Sequence, residues 1–147
     1  GYLLLDVFLL TLFGTALSSC INFALKTSGQ ASAVGTIVSA GYGFLCGAYM
    51  PMSQFGGDLQ KTLMFLPGTY GTSLIRNHAM AGAFRKMDSI GFPPQAVEMM
   101  KNAVDCKLFF FDNEVTVPMM YAVLCGSTVL LILLYILLNK TTSGRAK

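Results

Sequence analysis

The sequence has no tryptophan, one histidine, four cysteines and few charges: Asp, Glu, Lys and Arg together make up 12% of 147 residues. Each shortage excludes something. A soluble domain of this length carries about a quarter charged residues, so an ordinary water-soluble globule does not fit. Cys20, Cys46, Cys106 and Cys125 stand far apart, which leaves no disulfide framework and no C-x-x-C zinc pattern. A lone His78, with no second His, Cys or acid at ligand spacing, reads as a polar interfacial residue rather than a metal ligand or catalyst. The net charge of +3 is spread without a basic stripe interleaved with aromatics, so no nucleic-acid partner is expected.

What is abundant is apolar: 54% of the residues are hydrophobic and the mean hydropathy is +0.60. Gly1 opens inside an apolar run without a basic leader, and the chain reads as a piece of something longer. Three stretches match the length needed to cross about 30 Å of hydrocarbon as helices. Residues 1–21 hold a single charge, Asp6; residues 31–50 hold none and stop at Pro51; residues 118–138 open on Pro118 and end before Asn139 and Lys140.

Charge placement sets the orientation. The short connection with Lys26 and the tail 139–147 with Lys140, Arg145 and Lys147 contain four basic residues and no acid. The long connection 51–117 balances six basic residues against six acids. Basic residues gather on the cytoplasmic side, so the first and third spans run inward, the second runs outward, and the C-terminus is cytoplasmic.

Within the second span Ala31, Gly35, Ser39, Gly43 and Gly47 recur every fourth residue, a ridge that lets helix backbones approach closely. This ridge reads as helix packing inside a bundle or as a surface lining a substrate path. Thr11, Thr15, Ser18 and Asn22 give the first span a polar edge, whose hydroxyls bond across helices or back to their own carbonyls. Asp6 lies on roughly the opposite side and is either a group in a transport path or an outer-interface residue.

Residues 51–117 offer apolar pieces too short to cross. Phe55, Leu59, Leu63 and Leu66 form one face of a helix of about three turns, roughly 20 Å long. Pro67 and Gly68 break it, and a second short helix runs from Thr69 to Phe84. Two short helices with such a break predict a re-entrant hairpin over about 53–84, dipping into the outer leaflet where protein covers the broken backbone. An outer segment over about 85–117 follows, with an amphipathic helix around Val97, Met100 and Val104, and an apolar piece, 108–111, that beds into the interface or against that helix.

Two nucleotide-site lookalikes fail: Gln60 occupies the glycine position of a phosphate loop at 57–62, and the glycines at 41, 43 and 47 are one residue too far apart for a dinucleotide fingerprint. No cofactor is expected. Paired intramembrane Asp residues, His-Glu-x-x-His and a Ser/His pair are missing from the spans, so an intramembrane enzyme is a weak reading.

The order of parts, with Gly47-Ala48-Tyr49-Met50-Pro51 closing a small-residue span, then Pro67-Gly68-Thr69-Tyr70-Gly71, an outer segment and a last span with a basic tail, resembles the C-terminal half of a type-2 ATP-binding-cassette permease. The resemblance implies an all-α membrane protein with three transmembrane helices, a re-entrant helical hairpin and a short extracellular helical segment before the last span. It implies an exporter subunit in the cell membrane that pairs with a second permease unit and takes ATP hydrolysis from a partner ATPase subunit or domain. Pro51, Pro67, Gly68 and Tyr70 would shape the outer gate, and Lys26, Ser28 and Gln30 would make a secondary ATPase contact. The outer segment is longer than compact members of the family need. The competing reading is a non-transporting scaffold or sensor whose extracellular segment binds a partner.

Overall fold

A computed structural model describes residues 1–110 and 113–145; Phe111, Asp112 and Lys147, which the sequence reading assigned to the apolar piece, the acid balance and the basic tail, lie outside the described residues. The elements in chain order are α1 (Tyr2–Phe23), α2 (Ser28–Leu45), a 3-10 turn (Met52–Gln54), α3 (Gly57–Leu63), α4 (Pro67–Ser89), α5 (Pro94–Ala103), β1 (Leu108–Phe110), β2 (Asn113–Val115) and α6 (Val117–Arg145). The fold is mostly helical, and the small antiparallel hairpin, pairing Leu108 with Val115 and Phe110 with Asn113, corrects the all-α expectation. Strand pairing takes Leu108 and Val115 inward to the core and leaves Phe109 outward, the alternation a pleated strand imposes.

Two helices are long and apolar enough to cross a membrane, Tyr2–Phe23 and the segment Val117–Thr141 of α6. Most of their large side chains face outward: Leu4, Phe8, Leu130, Leu133 and Leu137 are among the exposed ones. A helix of a soluble core would bury such residues. The third expected span, α2, is diluted by serine, glycine and threonine, has no buried residue and does not meet the same standard.

The contacts between helices fix their directions. Asp6 meets Tyr121, Cys20 donates its thiol hydrogen to the carbonyl of Leu131, and Phe23 packs edge-on against Tyr135. Residue numbers rise together on both helices, so α1 and α6 are parallel. On α4 the numbers run oppositely: Gly71 lies against Leu10 and His78 against Asp6. α4 is therefore antiparallel to α1, starts beside the middle of it, and continues for eleven residues past the Asp6 level.

The sequence pattern predicts that the second short helix ends at Phe84, before Arg85 and Lys86. The helix in fact runs 23 residues to Ser89. Arg85 and Lys86 stay exposed while Phe84 is buried with Val97 and Cys106, so charge and burial share one helix on different faces. The chain stops only at Gly91, whose positive φ of 73° ends the helix. The first short helix is shorter than expected, a 3-10 turn and the seven residues of α3.

The core lies where α1, α4 and α6 meet. Phe13, Tyr70, Leu74, Met120 and Leu124 are buried there, and Met52, Leu63, Met64, Leu108 and Val115 from the connecting pieces extend the same cluster. The outer segment is thus continuous with the helix core.

Candidate functional site

α4 is the element around which the polar chemistry gathers, and it makes three joints. The first is at its start. Leu66 is extended, Pro67 occupies the first turn, where its missing N–H leaves no bond unmade, and Gly68 follows. The Gly68 amide donates to the Tyr42 hydroxyl at 3.2 Å and the Thr72 hydroxyl donates to the Cys46 carbonyl at 2.7 Å, fastening α4 to the end of α2. A side chain at Gly68 has no room: a Cβ there would lie 2.6 Å from Cys46 Sγ and 2.7 Å from Tyr42 Cε1. Tyr70 is buried, and its hydroxyl donates to the Met64 carbonyl at 2.7 Å, bracing the chain across the Pro67 break.

Below this joint a cavity of about 400 Å³ separates α1 from α2. Leu10, Phe13, Leu17 and Val38 make its walls apolar, Ser18, Asn22 and Ser39 add uncharged polar groups, and Gly68 and Thr72 close one end. Among the described residues, none that lines it is charged. Three ridge residues, Gly35, Ser39 and Gly43, face this space. Gly47 does not: α2 ends at Leu45, and Gly47 turns the chain with a φ of 77°, a conformation that favours glycine. The ridge is therefore one residue shorter than its spacing suggested.

The second joint is Arg76. Its guanidinium bonds to Asp105 at 2.8 Å and to the carbonyls of Gly47 and Val104. Asp105 is buried, adopts a positive φ of 55°, and also accepts the amide hydrogens of Met52 at 2.5 Å and Ser53 at 3.3 Å. Ser73 donates to the Asp105 carbonyl and Asn77 to the Cys106 carbonyl, at 2.7 and 2.6 Å. The Arg76–Asp105 pair thus ties the turn after α2, the 3-10 turn and the outer segment to α4. Burial pushes the neighbouring Cys106 thiol above its ordinary pKa and keeps it protonated.

The third joint is Asp6, which is fully buried. His78 Nδ1 lies 2.5 Å from one carboxylate oxygen and the Tyr121 hydroxyl donates to the other. Tyr2 stacks on the His78 ring with centroids 5.4 Å apart. Asp6 and Tyr121 each sit about one turn in from the same end of the two apolar helices. Asp6 therefore lies near one end of these helices with its carboxylate sheltered by protein. The sequence reading missed His78 as its partner; the available signal was that a lone acid in an apolar span requires a proton donor.

The polar edge of α1 bonds to its own helix: Thr11 and Thr15 donate to the carbonyls four residues earlier at 2.7 and 2.8 Å and Asn22 to the Ser18 hydroxyl, as the adjacent Ser19 does to the Thr15 carbonyl at 2.9 Å. At the other end of α1, Thr27 caps α2 by accepting the Gln30 amide, and Gln30 reaches back to the amide of Lys26, a near-capping box. Lys26, Ser28 and Gln30 thus stand together at this turn, far from the joints of α4, and Pro51 precedes the 3-10 turn. Among the described residues, no group of three metal-ligating side chains forms. Compared with known protein families, curated proteins and solved structures, the chain matches none of them.

Proposed function

We propose that the chain is part of the membrane domain of an ATP-driven exporter of the type-2 ATP-binding-cassette class, with α1, α2 and α6 as spans and α3–α4 as a re-entrant outer lid. The observation that carries the reading is the course of α4: it starts at Pro67 beside the middle of α1 and leaves past the level where α1 and α6 begin. A broken helix that begins at membrane depth needs protein around its start, and Tyr42, Cys46 and Leu10 surround it. The parallel course of α1 and α6 supports an outward return through α2, whose 18 residues reach about 27 Å.

In this reading the lid closes the outer end of the cavity between α1 and α2, with Pro67, Gly68 and Tyr70 shaping the break and Pro51 starting the piece before it. Closure of paired cytoplasmic ATPases, felt near Lys26, Ser28 and Gln30, shifts the helices and lets substrate leave outward past the lid. A second permease unit completes the path, and the C-terminus is cytoplasmic. Purification of the full-length protein in mild detergent tests this. Co-purification of an ATPase whose turnover falls when Lys26 and Gln30 are both replaced by alanine is expected. A full-length protein with no ATPase bound or fused, and no phosphate loop in the flanking reading frames, would favour the scaffold reading instead.

A further inference from the structure

Asp6 is the one acid placed within the apolar helices, and three helices contribute to its shelter. Among the described residues, the titratable groups around the site are His78 from α4 and Tyr121 from α6 on the Asp6 carboxylate, Tyr2 from α1 on the His78 ring, and Cys125 one turn beyond Tyr121. Arg76, two residues from His78, points to the opposite side of α4 and is occupied by Asp105. The balance of charge at Asp6 therefore rests on His78.

We propose that Asp6 and His78 form a proton-binding site that fastens α4 to α1 and α6 while the two side chains share one proton, and releases it when a second proton arrives. With one proton shared, carboxylate and imidazolium sum to zero and both Asp6 oxygens have donors, the state that burial favours. A second proton, taken from the adjoining water, bonds to a carboxylate oxygen and makes Asp6 a neutral acid. The imidazolium then carries an uncompensated positive charge, which buried surroundings disfavour and water accepts. His78 is the partner able to reach water: its side chain is 22% exposed, covered by the Tyr2 ring, and its helix continues outward to exposed Arg85 and Lys86. Swinging His78 outward loosens residues 78–89 of α4 while Arg76 stays bonded to Asp105; loss of the second proton to water lets the pair close again. The proposal needs only these three helices and holds whether or not ATP drives the protein.

Hydrogen–deuterium exchange of the α4 amides tests it, with the full-length protein in lipid nanodiscs at pH values from about 3.5 to 7, a range that reaches protonation of a carboxylate as well as of an imidazole. His78→Gln keeps an N–H donor that cannot take up a proton, and Asp6→Asn removes the shared charge. Comparing wild type with each variant at the same pH cancels the intrinsic pH dependence of exchange. Relative to His78→Gln, wild-type exchange over residues 78–89 is expected to be equal at the high end and roughly tenfold faster at the low end. Relative to Asp6→Asn, it is expected to be roughly tenfold slower at the high end and equal at the low end. Should either variant fail to fold, the other comparison suffices. Ratios that stay flat with pH identify a fixed structural bond and overturn the proposal, as does a wild-type pH response that both variants retain. No ATPase takes part, so a negative result leaves the export reading standing.

Discussion

Glycines on α4 differ sharply in what surrounds them, and the difference is measurable. At Gly68 the obstacles to a methyl group are a thiol and a ring held by hydrogen bonds, so Gly68→Ala is expected to destabilise by about 1–3 kcal/mol. At Gly71 the obstacle is Leu10 Cδ1 at 2.6 Å, the end of a side chain that can turn away, and Gly71→Ala should cost less. Gly82 has nothing within 4 Å, and Gly82→Ala should stabilise by about 0.4–1 kcal/mol through the unfolded chain. Denaturation midpoints of the full-length protein in detergent give the ranking, and equal effects at positions 68 and 82 would refute the close packing of α4 on α2. Of these residues the sequence singled out Gly68, because it followed a proline between apolar runs. The Tyr42 and Cys46 that make it necessary are more than twenty residues away and carry no local sign of the contact.

Between elements, Asp105 has the most connections of any acid outside the spans among the described residues. Asp105→Ala leaves Arg76 without its counter-charge and two amides without their acceptor, and is expected to cost about 3–5 kcal/mol. Asp105→Asn keeps an oxygen and a residue type that tolerates positive φ, so a loss of roughly 1–3 kcal/mol is expected. Midpoints from the same denaturation assay separate the two. The exposed surface of the outer segment behaves differently. Lys107 holds the Glu98 carboxylate below its ordinary pKa, mainly by hydrogen bonding, and Glu98 holds the Lys107 amine above its own. A lowered carboxylate stabilises the fold above the unfolded carboxylate range and loses that contribution as acid protonates it. A raised amine stabilises below the unfolded lysine range and loses its contribution as base removes its proton. Resistance of residues 90–116 to proteolysis should therefore be level through neutral pH, falling below about 4 and above about 10. Glu98→Gln should flatten the acid limb, and an unchanged limb would assign it to other carboxylates. None of these pairings was legible beforehand: Arg76 and Asp105 were counted only as charges that cancel, and their meeting depends on how the outer segment folds back.

For the whole molecule the decisive matter is direction. Parallel α1 and α6, with basic residues gathered at the 22–30 turn and the tail, give an arrangement whose sides can be labelled in intact cells. In a background depleted of the native thiols, a membrane-impermeant maleimide should label Ser89→Cys and leave Thr142→Cys unmodified until the membrane is opened; the reverse pattern overturns the orientation. Composition and periodicity were enough to define the apolar helices, the break at Pro67 and the amphipathic helix α5, because each depends on residues within a few turns of one another. They were also enough to mark Asp6 as unusual, since a charge in an apolar run stands out without any partner. Only the folded chain decided that α4 outlasts its charged residues, that Leu108 and Val115 pair as strands, and that His78, Arg76 and Tyr42 are the residues holding α4 in place. Those outcomes depend on contacts between residues far apart in sequence, where burial and hydrogen-bond satisfaction in three dimensions outweigh local pattern.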